Sequence, residues 1–243
     1  MKKGIVLAEF GDRERQIKGL VKNVRSVSTL PVVIYTDRDY FDFGEGVTTR
    51  KVAPRWTGHR RYYNRNNDYW KIVAAREFEL TLVLDDDMRI VNEQFIQGFD
   101  LAEKFGICLP INPRVYFGFD REVGDDVDDN IKRDTIGCPY YMTGNNMGVI
   151  FVNTCDHGVK HLLDVYLEFM EQHTCRGPVA MGVACWRSKC TPYFLPEEWC
   201  VCGGYNSFKE RTRKQVRPMF LHVGHSDVNE WFGHEKLFER FRG

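Results

Sequence analysis

The sequence predicts an α/β domain with a central, mostly parallel twisted sheet flanked by helices. Three observations carry that prediction. The chain opens on an apolar strand (residues 4–8), an amphipathic helix (13–27) and a second apolar strand (31–36), and a β-α-β unit of this kind implies parallel strands with a right-handed crossover. Short apolar, β-branched runs then keep alternating with helical periodicities down the chain. One of those runs, Leu80-Thr-Leu-Val-Leu84, ends at three consecutive carboxylates, Asp85, Asp86 and Asp87, before a second apolar run begins. In open α/β sheets the carboxyl ends of the strands are where ligands bind. With 243 residues and no internal repeat, linker or low-complexity segment, one domain spanning residues 1–243 is the economical reading.

Taken in order, the first helix places Ile17, Leu20, Val21, Val24 and Val27 on one face. No glycine-rich fingerprint follows the first strand, which removes the usual dinucleotide signature. A third strand is expected over 47–52, closed by Pro54. Residues 55–67 are basic, aromatic and amide-rich without apolar periodicity, and read as a loop that either meets a polar, anionic ligand or is solvated. Asp68 then reads as the N-cap of a helix over 69–78. Beyond the acidic strand come a helix (95–104), a strand (106–111), an aspartate-rich stretch (119–135) read as a solvated loop or helical turn, a strand (149–153), a helix (157–172), a short strand (192–196), an apolar strand (218–223) and a terminal helix (231–241).

Composition narrows the function classes. Lys plus Arg and Asp plus Glu are both 34, so net charge gives no general argument for nucleic acid or an anionic membrane. The apolar run at the start is too short for a signal peptide, and nothing approaches the ~18 apolar residues of a membrane span. The expectation is a soluble, cytoplasmic protein or an excised domain. Of eight cysteines, Cys175, Cys185, Cys190, Cys200 and Cys202 fall in one segment, but without a CxxC pair, so buried reduced thiols are expected rather than structural zinc.

Chemistry concentrates at three places. Adjacent carboxylates repel one another, more so when buried, and a multivalent cation would relieve Asp85, Asp86 and Asp87; a solvated acidic turn is the plainer alternative. Asn145, Asn146 and Gly148 lead into the strand at 149–153, where amides can face ligand hydroxyls or simply form a turn. His222 lies on an otherwise apolar run, and His225 follows it. On an apolar run a core histidine is the ordinary reading.

Together these features resemble the GT-A nucleotide-sugar glycosyltransferases, and among them the glycogenin-like, family 8 enzymes. Asp85-Asp86-Asp87 resembles their DxD, Asn146-Met147-Gly148-Val149 their Asn-x-Gly-Val element, Leu195-Pro196-Glu197-Glu198-Trp199 their Leu-Pro-x-x-aromatic element, and Leu221-His222-Val223-Gly224 their terminal His segment. The resemblance spans residues 5–231 and implies a Rossmann-like GT-A domain, with a nucleotide-binding half (about 1–105) and an acceptor-binding half (about 106–243). It implies that Asp85, Asp87 and His222 hold Mn2+ or Mg2+, with Asp86 or Asp85 near the ribose. It implies that Asp37 meets the base, uracil above all since a carboxylate accepts its ring N–H. Lys71 would point toward the donor or be a surface lysine, and Asn145 and Asn146 would meet sugar hydroxyls. Arg60, Arg61 and His225 would add positive charge near the diphosphate.

The implied reaction moves a sugar from a UDP-sugar to a hydroxyl on a glycan, glycoprotein or other acceptor. A divalent ion across the two phosphates lowers the cost of the charge gained by the leaving group. Hard oxygens suit Mg2+ or Mn2+, and an added imidazole favours Mn2+. One departure matters: the family's Asp-Gln pair, whose aspartate lies near the anomeric carbon, corresponds here to residues 177–186, which contain no carboxylate. Stereochemistry therefore stays open. Inversion would need a general base, and Glu197 and Glu198 are the candidates by position, ahead of Asp125 and Asp126. A non-catalytic sugar- or nucleotide-binding domain, or metal-dependent phosphotransfer or hydrolysis, are the alternatives.

Overall fold

The structure, a computed structural model, describes residues 1–11, 13–39, 43–58, 62–111, 129–138, 146–173, 175–202 and 218–222. Seven strands form one sheet in the order β3-β2-β1-β4-β7-β6-β8: β1 (Lys3–Glu9), β2 (Val32–Thr36), β3 (Val47–Lys51), β4 (Leu80–Leu84), β6 (Ile107–Pro110), β7 (Val149–Asn153) and β8 (Tyr193–Leu195). β1 is parallel to β2 and β4, β2 to β3, and β6 to β8, while β7 runs antiparallel to both β4 and β6. The sheet is thus mostly parallel, as expected. β5 (Met88–Ile90), β10 (Phe220–His222) and β9 (Cys200–Cys202) form a second, three-stranded sheet in the order β5-β10-β9.

Alternating side chains divide the core into two layers, because successive residues of a strand face opposite sides of the sheet. Ile5 and Leu7, Leu80, Leu82 and Leu84, and Val149 and Phe151 face α1 (Glu14–Val27) and α3 (Gln97–Phe105). Val6, Val83, Ile150 and Val152 face the opposite layer, built on α2 (Tyr62–Ala74) together with the two long helices that follow β7. Every residue of β4 and of β7 is buried, which is why both read as mostly apolar runs rather than alternating ones.

After α3 the described helices are α4 (Asp129–Asp134), α5 (His157–His173) and α6 (Gly177–Ser188). Three departures from expectation have physical causes. Residues 62–67, expected as loop, are the first turns of α2, and Asp68 sits inside that helix rather than capping it. The inward face there is polar: Arg65 and Asn66 are buried, and the Asn66 amide accepts from the Arg55 and Trp56 N–H groups and donates to the Trp56 carbonyl. No apolar period marks such a helix. α6 gave no helical stripe because it buries small and apolar residues on most sides, Val179, Ala180, Met181, Gly182, Val183, Ala184 and Cys185. β9 is three residues long and exists as a strand through its pairing with β10.

Cys108, Cys138, Cys175, Cys185 and Cys200 are buried free thiols, while Cys155 is exposed. Burial pushes the Cys108, Cys175 and Cys185 thiols up to about 12 and that of Cys138 to about 11. Among the described residues no helix is long and apolar enough to cross a membrane. The expected terminal helix, most of the aspartate-rich stretch with Asp125 and Asp126, and Arg60, Arg61, Asn145 and His225 lie outside the described residues.

Candidate active site

Leu84, the last residue of β4, sits between Leu7 of β1 and Val149 of β7. The chain then turns sharply. The Asp85 N–H donates to the Gly148 carbonyl (3.0 Å), and the Asp85 carbonyl accepts from the Met88 N–H (3.1 Å). That turn, squeezed between β4 and β5, fans the three carboxylates toward three different partners.

Asp85 faces Lys71 of α2. The Lys71 Nζ lies 2.8 Å from Asp85 Oδ1, 3.0 Å from Asp68 Oδ1 and 3.0 Å from the Met147 carbonyl, and Lys71 is only 1% exposed. Burial alone would lower the lysine pKa, but the Asp85 and Asp68 carboxylates more than reverse this and raise it. Burial pushes the Asp85 carboxyl up to about 6, Lys71 opposing the rise and the Asp87 and Asp68 charges adding to it. The side chain of Asp85 keeps 30% exposure, so it is the open member of the triplet.

Asp86, buried, receives the Arg13 guanidinium at both carboxylate oxygens (2.9 and 2.8 Å), and that guanidinium stacks over the Tyr63 ring. Its carbonyl accepts from Arg89 (3.2 Å). Asp86 therefore presents an Arg13–Asp86 ion pair rather than a free carboxylate. Asp87, also buried, has its Oδ2 2.9 Å from Nε2 of His222. β10 pairs His222 with Met88, the residue after Asp87, so the register of the small sheet brings together groups 135 positions apart.

Asp37 follows β2, two strands from β4, or about 10 Å at the usual strand spacing. Its Oδ1 is buried with no hydrogen-bond partner among the described residues. A buried acceptor left unmatched is costly, and an N–H from a ligand would satisfy it. Asn146 has the contacts of the turn reading. It is buried, its Oδ1 accepts from the Gly148 N–H (2.9 Å) and its amide donates to the Cys200 sulfur (3.2 Å), so it closes the turn before β7. Glu197 and Glu198 lie half-buried on a single 3-10 turn between β8 and β9, where the two sheets meet.

Sequence reasoning missed Asp68 and Arg13. Asp68 could have been found from its i, i+3 spacing to Lys71 on one helix; nothing in the sequence pointed to Arg13. Among the described residues, no three His, Cys, Asp or Glu side chains converge as a ready-made metal cage. Asp87 and His222 meet, and Asp85, two residues away, is turned to Lys71. In kind these groups fit a hard divalent cation, two carboxylates and an imidazole.

No family model matches the chain, and no curated protein matches it in sequence. Solved structures do. The galactosyltransferase LgtC, in complex with donor and acceptor sugar analogues, superposes with a TM-score of 0.63 at 14% identity, covering 98% of this chain and 94% of that one. Mouse xyloside xylosyltransferase 1 gives 0.58 at 11% identity, over 94% of this chain and 99% of that one. The glycosyltransferase GlyE of Streptococcus pneumoniae TIGR4 gives 0.59 at 14%, over 99% of this chain and 60% of that one. The chain has the GT-A fold of these glycosyltransferases, and in fold it resembles family 8.

Proposed function

We propose that this chain is a divalent-metal-dependent glycosyltransferase that moves a sugar from a nucleoside diphosphate, UDP in the first instance, to a hydroxyl of a glycan, glycoprotein or other acceptor. The observation that carries the reading is the Asp87–His222 contact of 2.9 Å beside Asp85, at the carboxyl end of the central strand of this fold.

Asp85, Asp87 and His222 would hold Mn2+ or Mg2+, with the imidazole favouring Mn2+. When bound, that ion takes up charge developing on the departing diphosphate. Lys71 keeps a positive charge buried beside the same carboxylates, and the Arg13–Asp86 pair fixes the turn from below. The unmatched oxygen of Asp37 would accept the ring N–H of a uracil. In this reading the first half of the chain, about residues 1–105, serves the nucleotide, and about 106–243 the acceptor, with His222 of the second half completing the metal site. Glu197 and Glu198 are the carboxylates proposed to activate the acceptor hydroxyl. At inversion one of them would take its proton.

Titration calorimetry with UDP tests this, in the presence and absence of Mn2+. Expected are tight binding with the metal and weakening of about tenfold or more in Asp87→Ala, in line with losses seen when metal sites are disturbed. Equal affinity with and without Mn2+, or an unchanged affinity in the variant, would refute the proposal.

A further inference from the structure

Among the described residues Lys71 has two carboxylate partners, and only one belongs to the acidic triplet. The other, Asp68, lies on α2 a turn before it and is fastened from three directions. Its main-chain carbonyl accepts from the buried Tyr166 hydroxyl of α5 (3.0 Å). Its Oδ1 meets the Lys71 ammonium at 3.0 Å. Its Oδ2 accepts from the N–H of Gly177, the first residue of α6, at 2.9 Å.

The sequence of α6 accommodates this visitor. The residue before the helix, Arg176, makes no side-chain cap of its own, and a Cβ at position 177 would stand 2.7 Å from Asp68 Oδ1. A glycine there leaves the space that the carboxylate fills. Residues 177–186 contain no carboxylate themselves, so the one at the head of α6 is delivered from α2.

Asp68 and Asp85 lie on either side of one ammonium, 3.0 and 2.8 Å from it. Both keep part of the side chain open, 17% for Asp68 and 30% for Asp85. Both are held by the same ammonium, so a ligand anchored at Asp85 has Asp68 within reach. An ionised carboxylate offers about four lone-pair sites, of which Lys71 and Gly177 engage two, and the rest suit hydroxyl donors. Among the described residues Asp68 has no imidazole partner, and it meets the Asp87–His222 pair only through Lys71 and Asp85, which assigns it to a different part of the ligand than the cation. We propose that Asp68 is a sugar-contacting residue: it accepts from hydroxyls of the donor sugar and orients that sugar beside the diphosphate. The inference rests on the glycosyltransferase reading above.

The test separates nucleotide binding from sugar handling. UDP affinity with Mn2+ is measured by calorimetry, and UDP release from UDP-glucose, UDP-galactose, UDP-xylose and UDP-N-acetylglucosamine is measured at saturating Mn2+. Asp68→Asn should leave UDP affinity within about threefold while lowering kcat for the donor that the native protein turns over by about a hundredfold or more, with KM little changed, the pattern of an interaction made at the transition state. In the double variant Asp68→Ala/Gly177→Asp the carboxylate returns from α6 into the vacated space, and kcat should recover at least about tenfold.

Turnover within about threefold of native in Asp68→Asn overturns the inference, as does a parallel loss of UDP affinity, which would make Asp68 a structural clamp. So does a double variant that folds and binds UDP like the native protein yet recovers nothing. A native protein that binds UDP with Mn2+ but releases it from none of the four donors overturns the assignment of Asp68 and leaves the nucleotide reading standing. A native protein that does not bind UDP with Mn2+ defeats the proposed function itself.

Discussion

Replacing Lys71 with methionine removes a buried ammonium from between Asp85 and Asp68 while keeping most of the side-chain volume. At 2.8 and 3.0 Å each pair attracts by about 5–6 kcal/mol in an effective dielectric near 20. Most of that is offset by the desolvation no longer required, and breaking a buried pair from one side leaves a net cost of about 3–5 kcal/mol. Asp85 is 30% exposed and can recover some hydration, which places the expected loss near the lower end, about 3 kcal/mol. For a domain of this size that corresponds to a Tm lower by about 6–12 °C. Mn2+ should then stabilise Lys71→Met more than the native protein, because the ion supplies Asp85 with the counter-charge that the lysine gave. Differential scanning calorimetry with and without Mn2+ measures both quantities. The control is Lys18→Met, which breaks an exposed i, i+4 pair with Glu14 and should cost no more than about 0.5 kcal/mol. A Tm change in Lys71→Met no larger than the control's, or an equal Mn2+ effect on variant and native protein, would refute the charge-balance argument.

Three further outcomes are expected. The folded Asp85 carboxyl, raised to about 6 from 3.8, holds its proton more tightly than the unfolded chain does, so this group's stabilising contribution is full below about 4 and is lost as pH rises through 6. Metal ligation needs the carboxylate, so the Tm gain from Mn2+ should grow from pH 5 to pH 7.5, and a gain that does not vary with pH would contradict it. Gly98→Ala would place a Cβ 2.3 Å from the buried Phe151 ring, which packs edge-on against Phe99, Trp199 and Phe220; urea denaturation should show a loss of about 1–3 kcal/mol. Brief alkylation of the native protein followed by peptide mass mapping should label exposed Cys155, while Cys108, Cys175, Cys185 and Cys200 react only after denaturation.

What the sequence showed depended on whether local pattern and tertiary role coincide. β4 and α1 were legible because burial there follows the period of the element itself, five buried residues in the strand and Ile17, Leu20, Val21 and Val24 in the helix. The start of α2 was not, because its inward positions hold the polar residues Arg65 and Asn66, and the Asn66 amide is matched by the main chain of Arg55 and Trp56. At the site, the acidic triplet announced itself by position, yet its three side chains have three unlike environments that no local pattern encodes. Lys71, left between donor contact and surface, is buried because Asp68 and Asp85 neutralise it. His222 reads as an ordinary core histidine within its own run, and it is the antiparallel pairing of β10 with β5 that sets it beside Asp87. Asp68 carried a capping signal and instead caps another helix.

The small sheet has a consequence for how the site comes into being. β5 sits early in the chain, but its described sheet partner is β10, and β9 joins through β10. The described large sheet, with the acidic turn already in place at the carboxyl end of its central strand, needs nothing beyond β8 for its own strand order. Contacts of such long sequence separation close late, since the loop entropy must be overcome before the pairing rewards it. The carboxylates should therefore be in place before the imidazole arrives. On the proposed metal reading, affinity for a divalent cation should appear as a late, separate kinetic phase of refolding, and metal binding would report that β10 has docked.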